Sequence, residues 1–310
     1  MDRFDAITAF VAVARSGGFS AAGRALGTPV ANVSRKVASL EEALGVRLFV
    51  RTTRHVALTE GGKRYFEACS RVIDDLRDAD EEVTGEYRQP KGDLIVTAPL
   101  GFGQQHLQPV VHDFLRAFPQ VNIHLQLADR VVALVEEHVD CAVRVGTLVD
   151  STLVARELGA VRRVVCAAPA YLQARGTPAD LSALADHDCI SWTALGPNGS
   201  WTLTGLRGGT STEERLPVNV RVSTTTPESA LQAALAGMGL VQATTYQVAP
   251  HVAEGRLVQV LADHRSAPIP VSLVYPSKRL IPLKLRALLD FATPRLEQRL
   301  AGVEAMMAPH

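Results

Sequence analysis

The sequence predicts an α/β protein in several parts: a small helical head, a linker helix, and a larger body of alternating strands and helices. Three observations carry that prediction. At 310 residues the chain exceeds what one core ordinarily serves, about 100–200 residues per domain. Its apolar residues recur at helical spacing through the first 90 positions. After Gln89-Pro90-Lys91-Gly92 they switch to short apolar runs separated by helical stretches. Charge is also partitioned. Residues 1–64 hold ten basic and five acidic side chains, a net +5, and residues 65–90 hold three and eight, a net −5. The remaining 220 residues hold 19 of each sign, so the neutral total of 32 against 32 hides a basic head and an acidic neck. Such asymmetry points to a polyanionic partner for the basic part.

Composition bounds the rest. Hydrophobic residues at 47% and charged residues at 21% fit a folded globular chain and exclude disordered, collagenous and disulfide-dense classes. No run approaches the roughly 18 consecutive apolar residues of a membrane span. Asp2, Arg3 and Asp5 lie inside an apolar helix pattern, so no signal peptide and no membrane partner are expected. Cys69, Cys141, Cys166 and Cys189 form no C-x-x-C pair and read as reduced core thiols of a cytoplasmic protein.

In the head, Phe4, Ile7, Phe10, Val11 and Ala14 define a first helix that Gly17-Gly18 stop. Ser20 opens a short second helix ending at Gly27. A third follows, with Thr28 as N-cap and Pro29 in its first position, and it buries Val33, Val37, Leu40 and Leu44. Asn32, Ser34, Arg35, Lys36 and Ser39 fall largely on its other side. Two short helices joined by a glycine turn, the second displaying Asn, Ser, Arg and Lys, have the layout of a helix-turn-helix whose second helix fits a DNA major groove. Arg and Lys pair with guanine edges or phosphates, Asn with adenine, and Ser with a phosphate oxygen. RLFVRTTRHVALT (47–59) then reads as a basic hairpin with Arg51, Arg54 and His55 near its tip, placed to touch the DNA backbone or minor groove.

FSAAGRALG, VSRKV followed by LEEALGVRLF, RTTR and LTEGG occur in that order between residues 19 and 62. This run closely resembles the N-terminal winged helix-turn-helix of LysR-type transcriptional regulators. The resemblance implies that Ser34, Arg35 and Lys36 approach the major groove and that Arg54 contacts the backbone. Thr28, Val30, Asn32, Arg51 and His55 complete the candidate DNA-binding set. Many members carry Gln-Pro where this chain has Val30-Ala31, so base contacts there do not carry over.

Tyr65, Cys69, Val72, Leu76, Ala79 and Val83 are spaced 4, 3, 4, 3, 4, an a/d seam of under three heptads widened by Phe66 and Ile73. A narrow seam flanked by acids favours pairing with a second chain. The family resemblance implies an antiparallel dimer through this linker helix, assembly to a tetramer, and an interrupted inverted repeat in double-stranded DNA as target.

The body reads as strand 93–98, a helix to about Phe118, strand 121–128, a helix over 129–139 and strand 141–146, which predicts a parallel sheet with helices on both faces. Strands at 162–169, 189–192, 218–224, 240–244 and 268–276, and helices at 227–237 and 283–291, follow. DCAVRVG, STLVARELGAVRRVVCAAPAYL, ALAGMGL and LKLRALLDF resemble the LysR-type effector domain, which implies two lobes like a periplasmic binding protein with a small-molecule effector between them. The expected division is a winged helix-turn-helix over 1–60, a linker helix over 61–89 and an effector domain over 90–310. Within it, lobe I takes about 90–161 and 268–300, and lobe II about 162–267.

Ligands of open α/β sheets sit beyond the carboxyl ends of strands. That rule selects Pro99, Leu100, Gly101 and Phe102 after the first strand, Arg144, Gly146 and Thr147 after the third, and Thr225 and Thr226, with Thr226 as N-cap, before the helix at Pro227. Hydroxyls, helix starts and an Arg suit a small carboxylate or other small anion.

Enzyme readings fare worse. GFGQQH (101–106) follows a strand but has His106 where a dinucleotide fingerprint needs its third glycine. No H-E-x-x-H, G-x-S-x-G or G-x-x-x-x-G-K-[ST] occurs. Neither a catalytic set, a metal site nor a cofactor is expected.

Overall fold

The computed structural model describes residues 2–51, 56–84, 89–148, 153–192, 200–207, 210–264, 266–277 and 281–307. It divides into two compact units, Met1–Arg88 and Gln89–His310.

The first unit begins with α1 (Arg3–Ser16), whose N-cap Asp2 accepts the Phe4 N–H at 2.9 Å and which ends at Gly17 in the left-handed region. Next come α2 (Phe19–Ala25) and α3 (Val30–Leu44), the latter stopped by left-handed Gly45. Thr28 is not the cap the sequence suggests. Pro29 occupies the N-cap position, and the Thr28 hydroxyl donates back to the Leu26 carbonyl at 3.2 Å, tightening the turn. β1 (Phe49–Arg51) and β2 (Val56–Leu58) pair antiparallel, Phe49 opposite Leu58. A Glu41 carboxylate oxygen accepts the Leu48 and Phe49 N–H groups at 2.8 and 3.1 Å, which fastens this hairpin to the end of α3.

α4 (Glu60–Thr84) closes the unit. Phe10 sits at its centre, 5.2 Å from the ring of Phe49, 5.6 Å from Tyr65 and 6.5 Å from Phe66. Arg15 of α1 also pairs with the largely buried Asp74 of α4 at 2.7 Å. The seam drawn along α4 is therefore split. Tyr65, Cys69, Phe66 and Ile73 belong to the core of their own unit, whereas Val72 and Leu76 stand 61% and 44% exposed. Phe10 of α1 outcompetes a second chain for the first turns of α4 because burial within the same chain needs no association.

The second unit opens with β3 (Gly92–Ala98), α5 (Leu100–Phe102), a π turn over Gly103–Leu107, α6 (Gln108–Ala117), β4 (Val121–Leu127), β5 (Cys141–Val145) and β6 (Leu153–Val161). The chain then crosses to a second sheet with β7 (Arg163–Ala167), α7 (Pro169–Arg175), β8 (Cys189–Trp192), the hairpin β9 (Ser200–Arg207) and β10 (Thr210–Pro217), and β11 (Val220–Thr224). It continues with α8 (Pro227–Leu235), β12 (Leu240–Thr244), α9 (Thr245–Ala253) and β13 (Val258–Val260). It returns as β14 (Ile269–Pro276) and ends in α10 (Leu283–Met306), longer than the 283–291 expected and running through Pro294.

The sheets have the orders β4-β3-β5-β14-β6 and β11-β8-β12-β7-β13. They are mixed, not parallel as expected. β3 runs parallel to β4 and β5, but β14 runs antiparallel to β5 and β6, and β7 antiparallel to β12 and β13. Parallel pairing needs a crossover helix, and β14 arrives instead directly from the second sheet to fill the place between β5 and β6.

Three other differences have local causes. The segment 129–139 forms turns, not a helix. Four β-branched valines weaken its helix propensity, Arg130 holds Glu137 at 2.7 Å, and His138 takes φ +54°. The β9–β10 hairpin escaped notice because TSTEER has no apolar alternation, although Trp201 and Leu203 are fully buried. Cys166 and Cys189 lie on strands separated by β12 and belong to different clusters, one on each face of the sheet. Two strand spacings are about 9.6 Å, beyond the roughly 7 Å limit for a disulfide. Burial pushes both thiols up to about 12.

A methyl group on Gly62 would run into the Leu48 carbonyl at the base of the hairpin. Gly62→Ala is expected to destabilise the Met1–Arg88 unit by about 1–3 kcal/mol, read as a lowered midpoint in denaturant unfolding.

Candidate DNA-reading face and candidate effector cleft

The DNA-reading candidates begin with α3. Val33, Val37 and Leu40 are completely buried against the head core, which turns Arg35 to the opposite, exposed side. The Arg35 guanidinium donates to the Asn32 side-chain oxygen at 2.6 Å, so two groups able to read base edges are held side by side. Ser34 is half-buried on the flank, and Val30, 43% exposed, stands at the first turn. Lys36 departs from expectation: it turns toward α1 and pairs with Asp5 at 2.9 Å. Both side chains are more than a third exposed, so this pair is worth about 0–1 kcal/mol, and a phosphate can displace it at small cost. Thr28 shapes the turn, as described above. Arg51 ends β1, and Arg54 and His55 lie outside the described residues.

In the second unit the site depends on how the two sheets are joined. The chain passes between them at Arg162 and again at Ser266–Pro268, and the passages are bonded together. Arg163 N–H donates to the Ser266 hydroxyl at 2.7 Å and Ser266 N–H to the Arg163 carbonyl at 3.2 Å. Thr245 N–H donates to the Arg162 carbonyl at 2.8 Å while its hydroxyl accepts the Arg162 N–H at 3.2 Å. Thr245 and Ser266 are both buried, where backbone and hydroxyl groups must satisfy one another. A continuous apolar core running from Leu94 and Phe114 to Ile190, Ala230 and Val248 also spans both lobes.

That junction brings the start of α5 against the start of α8. Leu100 N–H donates to the Asp129 carboxylate at 3.0 Å. A Cβ on Gly101 would meet the Glu228 carboxylate, so the carboxylate lies directly against the start of α5. Phe102 is completely buried, its ring 5.4 Å from Tyr246 and 5.1 Å from His106. Thr226 caps α8, its hydroxyl accepting the Ser229 N–H at 3.3 Å, and Thr225 is exposed beside it. The structure thus assembles Pro99–Phe102 with Thr225–Thr226. The remaining candidates are engaged elsewhere. The Arg144 guanidinium donates to the Val132 carbonyl, pinning the 129–139 turns to β5. Gly146 N–H donates to the Pro270 carbonyl at 2.8 Å, and Thr147 is exposed.

The chemistry at this junction comes from residues the sequence did not single out. Both carboxylate oxygens of Glu228 are buried, and apart from its own N–H no donor among the described residues is placed to bond either. Burial raises the Glu228 carboxyl above its ordinary range, its own N–H opposing and Asp129 adding to the rise. Burial likewise pushes the Tyr246 hydroxyl up to about 12. His106, on the π turn, is 8% exposed, and the Tyr246 backbone is the one hydrogen-bonding group among the described residues that acts on its ring. Burial, with Arg299 nearby, drives its pKa down to about 4, so the ring is neutral at physiological pH. A π turn is itself a recurrent mark of functional sites. Glu228 was illegible because an acid in the first turn of a helix is ordinary dipole chemistry. His106 registered only as a missing glycine. Among the described residues, no group of three His, Cys, Asp or Glu is placed to hold a metal ion.

Comparison with known proteins decides the family. Residues 4–63 match the model of the bacterial regulatory helix-turn-helix protein, lysR family, and residues 87–297 match the LysR substrate binding domain. The chain belongs to the LysR family of transcriptional regulators. It is 34% identical over 297 residues to the HTH-type transcriptional regulator CrgA of Neisseria meningitidis serogroup B, covering 96% of this chain and 98% of that one. It is 31% identical over 291 residues to the HTH-type transcriptional activator TtdR of Escherichia coli K12, covering 94% and 92%. A solved structure of CrgA from Neisseria meningitidis superposes with a TM-score of 0.61 at 33% identity, over 94% of this chain and 98% of that one. This LysR-type regulator therefore couples a DNA-binding helix-turn-helix to a domain that binds a small-molecule effector.

The neutral His106 has a consequence for stability. The unfolded chain takes up a proton near pH 6.5, whereas the folded chain resists until about pH 4. Its contribution is fully present above pH 6.5 and is lost as pH falls toward 4, by at most about 3 kcal/mol. In thermal melts, His106→Phe is expected to flatten the fall in stability between pH 6.5 and 4.

Proposed function

We propose that this LysR-type regulator reads an interrupted inverted repeat in double-stranded DNA under the control of an effector held between the lobes of its second unit. The division is that of the sequence: a DNA-reading head over 1–60, a pairing helix over 61–89 and an effector domain over 90–310. In the head, Asn32 and Arg35 read base edges. Ser34, Lys36, Thr28 and Val30 line the approach, and Arg51, Arg54 and His55 serve the backbone from the hairpin. The observation that supports this reading most directly is the α3 surface, where complete burial of Val33, Val37 and Leu40 obliges the Asn32–Arg35 pair to face outward. A basic head of +5 supplies the phosphate attraction.

Two chains pair through the exposed Val72–Leu76 stripe of α4, and pairs associate further into a tetramer. Val72 and Leu76 stand exposed one turn apart on a long helix, and a second copy supplies the same pair in return. The effector occupies the junction of Pro99–Phe102 with Thr225–Thr226, and the protein works in the cytoplasm without a cofactor or catalytic turnover of its own. A change in lobe geometry on binding alters the spacing of the paired heads.

DNA affinity is expected to fall linearly in logarithm with salt, by about 0.9 per neutralised phosphate. Arg35→Ala should cost about 1–3 kcal/mol at one base pair and relax sequence preference there, whereas Arg54→Ala should weaken all sequences alike. Unchanged preference in a selection from random sites removes Arg35 from base reading. Val72→Asp with Leu76→Asp is expected to shift the protein toward monomer in sedimentation, with the Met1–Arg88 unit still folded.

A further inference from the structure

We propose that the cleft between the lobes takes a ligand presenting a cationic nitrogen, an ammonium or a guanidinium, to the carboxylate of Glu228. The proposal rests on the effector-cleft reading above and replaces the small carboxylate that the sequence suggested.

The carboxylate of Glu228 is an incomplete interaction. It projects from the second residue of α8 in one lobe against Gly101 of the other, with both oxygens shielded from solvent and no donor from any other described residue. Buried charged groups are paired in folded proteins because an unpaired one forfeits its hydration without compensation. Its position at the meeting of two lobes places the missing donor in a ligand held between them. A cation supplies both the hydrogen bonds and the opposite charge.

The surroundings argue for the sign. Asp129, exposed at the end of β4, adds a second negative charge that acts on Glu228 and Tyr246. Arg144 of β5 holds the Val132 carbonyl and is not among the groups that shift the Glu228 carboxyl. Arg299 of α10 acts on His106, behind Phe102 and Tyr246, and not on Glu228. An anionic ligand would therefore meet two carboxylates, whereas a cation meets complementary charge. Behind Gly101 the packed rings of Phe102, Tyr246 and neutral His106 keep the local dielectric low. A charge pair formed in front of them is correspondingly stronger than one in water.

The test is thermal melting of the full-length protein with agmatine and 1,4-diaminobutane as cationic probes and succinate and benzoate as anionic ones. The amines are expected to raise the melting temperature in a saturable manner, and Glu228→Gln to weaken that response about tenfold or more, the loss of one charge-assisted contact. Asp129→Asn, which keeps the acceptor for Leu100, should weaken it by a smaller factor and provides a second reading if Glu228→Gln does not fold. Gly101→Ala, which puts a methyl group against the carboxylate, should abolish it. No shift with either amine, or an amine shift that survives Glu228→Gln, overturns the proposal. A shift with succinate or benzoate that Gly101→Ala abolishes and Glu228→Gln spares also overturns it, while leaving the cleft as the effector site. A ligand whose shift survives both variants removes the cleft reading itself.

Discussion

The bonded junction between the two chain crossings governs the arrangement of the effector unit. Arg162 and Arg163 on one passage are tied to the buried Thr245 and Ser266 by backbone and hydroxyl hydrogen bonds. Each bond contributes modestly, about 1 kcal/mol, but leaving any of these groups unpaired in the interior would cost more than making the bond returns. The lobes are therefore linked at a defined place, and the facing ends of α5 and α8 meet as a consequence. The closeness of Gly101 to Glu228 follows from that linkage. A side chain at position 101 would displace the carboxylate from the place it fills.

In the DNA-binding unit the corresponding constraint is aromatic. Phe10 gathers Phe49, Tyr65 and Phe66 around it, so α1, the hairpin and the first turns of α4 share one core. Heptad spacing alone suggested that the whole of α4 faces a second chain. Packing assigns its first turns inward and leaves Val72 and Leu76 outside. The same spacing serves both purposes, since a helix repeats its face every three or four residues whichever surface that face meets. Which residues face a partner is settled by what lies opposite them.

Most of the secondary structure was legible in the chain. Helices α1 to α4 announced themselves by period, by Gly17 and Gly45 at their ends, and by Asn, Ser and Arg opposite the valines of α3. The strands β3, β5, β7, β8, β12 and β14 stood out as short apolar runs. The misread elements share a cause. The 129–139 segment has helical periodicity but is held in turns by Arg130 and Arg144, whose partners lie seven and twelve residues away. The β9–β10 hairpin carries no apolar alternation in its second strand, and its burial depends on Trp201 meeting a sheet made elsewhere in the chain.

The sequence by itself determined the family, the charge partition and the order of the elements, because each is written in neighbouring residues or in a run of matching motifs. Only the tertiary structure decided which charges are available. Lys36 lies against Asp5, 31 residues away, and Arg144 against the Val132 carbonyl. Glu228 meets Gly101, which precedes it in the chain by more than half the length of its unit. The physical reason is one of range. Periodicity and capping act within a turn or two of backbone, whereas the state of a buried charge depends on whatever distant groups the fold places around it, or leaves out.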